Sequence, residues 1–105
     1  MKELIQFVDK VKSVYPDATQ IIFNVEYDSI NRREDILNYK VTQDDITLTT
    51  YDQLNLSGNQ LHSVIFNFIK DVLLKNYIMI SDFEEEEYAF DLNTLEYEFI
   101  DNEEG

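Results

Sequence analysis

The sequence predicts an α+β fold. In this fold an antiparallel three-stranded meander packs against two helices in the order αβββα, and an acidic C-terminal β-hairpin follows. Apolar residues recur at helical spacing near the N-terminus and after residue 57, and they alternate with polar residues between these segments. The last quarter of the chain also alternates, with acids at its polar positions. A length of 105 residues with two glycines and one proline indicates a single domain, 1–105, rich in regular structure.

The first helix is predicted from apolar residues three and four positions apart, such as Leu4, Phe7 and Val8, and Pro16 ends it. Three strands with a period of two follow, over residues 19–28, 37–42 and 46–51, and Ile21, Phe23 and Val25 share one face of the first. The turn between the first two strands carries Arg32 and Arg33, and a short turn at 43–45 precedes the third. Successive strands joined by tight turns are typical of an antiparallel meander.

The second helix is predicted to begin at Ser57. Ser57 and Gln60 match the capping box, in which each side chain satisfies a backbone N–H at the start of a helix. The apolar residues that follow form a wide face, so we expect this helix to lie across the sheet. Its face consists of Leu61, Val64, Ile65, Phe68, Val72 and Leu73.

The C-terminal hairpin is predicted over residues 87–100, with a turn at 93–94. Tyr88 and Phe90 alternate with Glu87 and Asp91, and the same pattern returns in residues 95–99. We expect residues 81–86 to form a helical turn or a loop, and 101–105 to be frayed. The pattern leaves open whether this hairpin pairs with the main sheet or with a second subunit.

Charge is distributed very unevenly along the chain. Residues 81–105 contain 11 acidic residues and no lysine or arginine, whereas residues 1–75 contain 11 acidic and 8 basic residues. The formal net charge is −14. Such a charge repels nucleic acids and anionic lipids, so it argues against direct binding to either.

Signals of catalysis or metal binding are weak. The chain has no cysteine, and its one histidine, His62, is expected to be a surface or partly packed helix residue. Two glycines cannot build a phosphate-cradling loop, and the pair Asp44–Asp45 lacks the ordered spacing of an EF-hand. We therefore expect no enzyme activity, no cofactor and no specific metal. Arg32 and Arg33 are expected to offset the neighbouring acids Glu34 and Asp35.

We expect a cytoplasmic protein. Residues 1–6 lead directly into the first amphipathic segment without the apolar core of a signal peptide. The apolar runs are also shorter than a membrane span.

The acidic hairpin is the predicted binding element, and its partner is a basic protein. Alternate residues on a strand lie about 6.6 Å apart, so carboxylates on one face form rows spaced on the same order as neighbouring phosphates of a nucleic-acid strand. A solvated face that maintains solubility is the competing interpretation. The predicted partner-binding residues are Glu84, Glu85, Glu86, Glu87, Asp91, Glu96 and Glu98, with Tyr88 and Tyr97 at the interface core.

The predicted function is inhibition of a basic, nucleic-acid-binding enzyme by charge mimicry. In size and charge the chain is similar to the small acidic proteins that phages use against host restriction or CRISPR nucleases. An immunity protein that neutralises a cognate basic toxin would follow the same physics. A third possibility is a general protein–protein interaction domain whose acid serves only solubility.

Overall fold

The computed structural model describes residues 2–28, 30–75 and 85–100, and in these ranges the chain forms three helices and five strands. The α+β class is confirmed. Helix α3 continues directly into a π-helical segment, Ile69–Leu74. The elements are α1 (Lys2–Val14), β1 (Gln20–Asp28), β2 (Arg33–Gln43), β3 (Ile46–Thr50), α2 (Tyr51–Leu56), α3 (Gln60–Phe68), β4 (Glu85–Asp91) and β5 (Tyr97–Ile100).

The five strands form one antiparallel sheet in the order β3-β2-β1-β4-β5. The three strands predicted as a meander lie side by side as β3-β2-β1, and the pairing that the sequence left open is made by β4, which pairs with the free edge of β1. The reason is burial. This pairing sets Phe90 opposite Ile21 and Tyr88 opposite Phe23, so the apolar rows of both strands share one face.

The helix order also differs from the predicted αβββα. A short helix, α2, separates β3 from α3, and α3 begins at Gln60 with Asn59 as its N-cap. The capping box expected at Ser57 was wrong, since Ser57 instead ends α2. A capping box does occur seven positions earlier, where Thr50 and Gln53 exchange hydrogen bonds at the start of α2. Gly58 follows α2 with a φ of 67°, which glycine adopts at little cost.

The core lies between the helices and one face of the sheet. Phe7 of α1 stacks on Phe68 of α3 with ring centroids 3.7 Å apart, and both rings contact Phe90 of β4. The predicted apolar positions of α1 at Leu4, Phe7 and Val8 are buried. No helix in the described ranges is long and apolar enough to cross a membrane.

The opposite face of the sheet carries none of the described helices, because α1, α2 and α3 all contribute side chains to the same core. Side chains alternate along a strand, so this second face is made by the residues between the buried ones. We call it the open face. Across β1 and β4 it bears the pairs Gln20 with Asp91, Ile22 with Ala89, and Asn24 with Glu87.

Candidate binding surface

The β4–β5 ribbon, residues 85–100, is held in place by its turn. The backbone N–H of Asp91 donates to the carbonyl of Glu96 at 2.8 Å, which closes the connection between the two strands. The carboxylate of Asp91 accepts hydrogen bonds from the backbone N–H groups of Asn93 and Thr94 at 2.7 and 3.0 Å. Leu92 is 2% exposed and belongs to the core, so the turn is anchored to the domain.

Four of the predicted binding residues lie on the open face of this ribbon. Glu87 and Asp91 point to that face because Tyr88 and Phe90 between them are buried in the core. Glu98 pairs with Ala89 and therefore shares its face, and Glu96 lies opposite Asp91 at the turn. Adjacent strands are about 4.8 Å apart and alternate residues about 6.6 Å, so the structure brings these four acids together.

The acidic cluster continues onto β1. Glu26 alternates with Asn24 and lies on the open face, and its backbone pairs with that of Glu85 on β4. We define the acidic face by these side chains: Glu26, Glu87, Asp91, Glu96 and Glu98. It extends over three adjacent strands, and β1, β4 and β5 contain no lysine or arginine.

The basic residues of the open face lie on β2, which pairs with β1 on the side opposite to β4. Lys40 of β2 pairs with Ile22, and Arg33 pairs with Asp28. The Arg33 guanidinium also forms an ion pair with Asp35 at 3.1 Å, as expected for an arginine that offsets its neighbours. Among the strands, positive charge on this face is therefore confined to β2. A lysine of α1 does reach the turn of the ribbon, where Lys12 Nζ donates to Asn93 Oδ1 at 2.9 Å.

The other predicted acids occupy different places. Glu86 lies two residues before Tyr88 on β4, so both side chains are on the helix-facing side of the sheet. The Glu86 carboxylate accepts a hydrogen bond from the Tyr88 hydroxyl at 2.5 Å. Burial raises the pKa of Tyr88, and the Glu86 carboxylate raises it further. Glu85 is a residue of β4 whose backbone pairs with that of Glu26. Glu84 lies outside the described residues.

The two predicted interface tyrosines have opposite environments. Tyr88 is 6% exposed and packs on Phe23 and Phe99, so the structure places its side chain in the core and not at the surface. Tyr97 is 41% exposed, and Phe99, which is not among the predicted interface residues, is 53% exposed. Both lie on the helix-facing side of the edge strand β5. The alternating pattern did place Phe99 on the apolar side, but the pattern carries no information on how far the helices reach.

His62 is partly packed, in agreement with its sequence interpretation. Its Nδ1 lies 3.0 Å from the hydroxyl of Tyr39, and its ring packs against Tyr51 and Phe66. Burial raises the pKa of Tyr39, which keeps the phenol protonated beside the imidazole. Within the described ranges no group of three or more histidine, aspartate or glutamate side chains is placed to hold a metal ion, and the exposed Asp44–Asp45 turn forms none.

No protein-family model, curated protein or solved structure matches this chain. Fold and charge geometry therefore supply the arguments for function.

Proposed function

We propose that this protein is a small cytoplasmic inhibitor that binds the basic nucleic-acid-binding surface of an enzyme by charge mimicry, as anti-restriction and anti-CRISPR proteins of phages do. One observation carries the proposal. Five acidic side chains share one face of three adjacent strands and of the turn between two of them, and those strands contain no base. We propose a binding role and no catalytic one.

The acidic face suits a mimic because the sheet fixes the backbone positions that carry its carboxylates. No backbone has to be ordered when the two proteins associate, so less conformational entropy is lost. The ribbon's turn adds to this order through the hydrogen bonds of Asp91 and the burial of Leu92. The spacing of the acids along and across strands is of the same order as that of phosphates along a nucleic-acid strand.

The cost of this arrangement also supports a partner. Like charges placed side by side destabilise a compact state through self-repulsion. Solubility requires net charge and is served best when both signs are interspersed over a surface. Here β2 carries both signs on the open face, with Asp35 beside Arg33, whereas β1, β4 and β5 carry acids and no base. A basic partner would offset the repulsion when it binds.

Charge complementarity of this kind contributes strongly to the rate and specificity of association. It steers two proteins together over distances comparable to the Debye length, so association is fast at low salt and slows as salt is added. A basic nucleic-acid-binding groove is the natural target, because its positive field already selects polyanions.

The test is capture from a nuclease-treated host lysate on the immobilised protein, with elution in a salt gradient and identification by mass spectrometry. We expect a basic nucleic-acid-binding enzyme to elute at raised salt. If that enzyme is a toxin encoded next to this protein, the inhibitor is an immunity protein acting through the same face. Partners that are indifferent to salt would contradict the proposal.

A matched pair of variants makes the capture specific to the acidic face. Glu96→Lys with Glu98→Lys reverses two of its charges, and Asp9→Lys with Asp17→Lys makes the same change of net charge at exposed positions near α1. The first variant should lose the enzyme and the second should retain it. Equal loss in both would show that only net charge matters.

A further inference from the structure

The outer edge of β5 presents backbone groups that point away from the sheet. The hydrogen bond from Asp91 N–H to Glu96 C=O determines which residue pairs of the β4–β5 ladder are hydrogen-bonded. Paired residues in an antiparallel ladder alternate between hydrogen-bonded and non-hydrogen-bonded pairs. The pair Ala89–Glu98 is therefore hydrogen-bonded, whereas Tyr88–Phe99 is not. It follows that the N–H and C=O groups of Phe99 point outward, where no strand of the described ranges pairs with them.

The side chains of this edge have two different characters. Phe99 is 53% exposed on the helix-facing side, where its ring contacts Tyr88, and Tyr97 lies beside it. Glu98 lies on the open face, within the acidic face. An added strand would therefore meet aromatic rings on one side and carboxylates on the other.

The opposite edge of the sheet is less suited to accept a strand. The pairing of β3 with β2 shifts register between Val41 and Thr42, and β3 runs directly into α2. Irregularities of this kind protect natural sheet edges from further pairing. The pairing of β5 with β4 is regular from Tyr97 to Ile100, so its outer edge is an undistorted template.

The charge of an added strand determines whether it can pair with the outer edge of β5. A second copy of the chain, paired with β5 about a two-fold axis, would set one acidic face beside the other, and each chain carries a formal charge of −14. A strand with lysine or arginine opposite Glu98 and apolar residues opposite Phe99 would satisfy both sides.

We propose that β5 binds an extended, basic strand of its partner by β-augmentation, with apolar residues against Tyr97 and Phe99 and basic residues against Glu98. Main-chain hydrogen bonds supply affinity in this mode, and alternate side chains supply specificity. This inference rests on the proposed function, because it names how the basic partner is held.

A peptide of alternating lysine and valine, blocked at both ends, tests the proposal directly. We expect it to bind the wild-type protein and to slow hydrogen exchange of the Phe99 amide. A peptide of alternating glutamate and valine should not bind. Absence of binding by the lysine peptide at low salt, or binding without protection of Phe99, would overturn the proposal.

Two substitutions at one position separate the backbone from the side chain. Phe99→Ala removes the ring and keeps the outward N–H, whereas Phe99→Pro removes both, and proline is tolerated on an edge strand where its nitrogen faces outward. We expect Phe99→Pro to bind the peptide about tenfold more weakly than Phe99→Ala, the order of one lost hydrogen bond. Equal affinities would show that the edge backbone takes no part.

N-methylated peptides provide the same test without altering the protein. If the added strand is antiparallel, the valines opposite Phe99 direct their N–H groups at β5, so methylation of valine amides should abolish binding and methylation of lysine amides should not. For a parallel strand the two results exchange. Loss in both peptides or in neither would contradict strand addition.

The enzyme captured by the full protein distinguishes the two proposals. If strand addition alone is wrong, Phe99→Pro retains the enzyme and Glu96→Lys with Glu98→Lys loses it. If charge mimicry is wrong, the charge-reversed variant retains the enzyme as well.

Discussion

The strands on the two sides of β1 differ in how they use their open face. On one side, β2 carries both signs of charge, and its Arg33 forms an ion pair with Asp35. Strand β3, beyond β2, is rich in threonine and runs directly into α2. On the other side, β4 and β5 carry acids and no base on that face. Both sides contribute equally well to the core, since Tyr39 of β2 and Phe90 of β4 are each 1% exposed.

This difference shows that the requirements of core packing and the distribution of charge are independent. The apolar faces of both halves satisfy the same packing requirement, so packing does not explain why the acids gather on one half. The β4–β5 ribbon is also the half whose aromatic residues remain partly exposed at the edge of the sheet. Its charge and its exposed rings together are the reason that we propose it as the surface for a partner.

The largest expected effect concerns the core contribution of the ribbon. Phe90→Ala removes a ring that contacts Phe7 and Phe68, and we expect a loss of about 3–5 kcal/mol in the free energy of unfolding. Phe99→Ala, at the exposed edge, should cost about 1 kcal/mol or less. Urea denaturation of both variants measures the difference. Similar losses would mean that β5 is as deeply packed as β4.

The next effect concerns the acidic face. Glu96→Lys with Glu98→Lys should weaken binding to the captured enzyme by about a hundredfold, since two attractive charges become repulsive. The circular dichroism spectrum should stay unchanged because both side chains are exposed. Affinity can be measured by calorimetry, with Asp9→Lys and Asp17→Lys as the control. Unchanged affinity would refute the assignment of the face.

Stability at high pH tests the buried side of the ribbon. Burial and the Glu86 carboxylate raise the pKa of Tyr88, so above about pH 10 the unfolded chain loses this phenol proton while the folded chain keeps it. The free energy of unfolding therefore falls as pH rises, by about 1.4 kcal/mol per pH unit for each such tyrosine. Tyr39 contributes in the same direction. In Tyr88→Phe the free energy of unfolding should fall less steeply with pH, because one titrating tyrosine is gone. An unchanged slope would mean that the Tyr88 hydroxyl is exposed to water in the folded protein.

The smallest effect separates the two roles of Asp91. Asp91→Ala removes the acceptor for two backbone N–H groups of the turn and should cost about 1 kcal/mol in stability. Asp91→Asn keeps an acceptor oxygen and removes only the charge, so it should leave stability nearly unchanged while weakening binding. Thermal denaturation and calorimetry on the two variants measure these quantities. An equal loss of stability in both variants would mean that the charge of Asp91, and not its hydrogen bonds, stabilises the turn.

Local periodicity predicted much of the fold. The spacing of Leu4, Phe7 and Val8 identified the buried side of α1, and the alternation of Ile21, Phe23 and Val25 identified the buried side of β1. These patterns are reliable because burial acts on every turn of a helix or every second residue of a strand.

Choices between equivalent local motifs and between distant partners could not be predicted in the same way. Thr50 with Gln53 and Ser57 with Gln60 are equal capping patterns in the sequence, but in the structure only the first forms, and Asn59 caps α3. The pairing of β4 with β1 joins residues far apart in the sequence, so no local signal encodes it. The position of the acidic face on the open side followed from alternation, but its continuation onto Glu26 required this pairing.

Competition between this protein and nucleic acid for the captured enzyme tests the central claim most directly. A labelled duplex bound to the enzyme is titrated with the wild-type protein, and its release is followed by fluorescence anisotropy. Charge mimicry predicts complete release of the duplex by the wild type and by the Asp9→Lys, Asp17→Lys control, with little release by Glu96→Lys, Glu98→Lys. A stable ternary complex, in which the enzyme holds the duplex and the protein together, would contradict it.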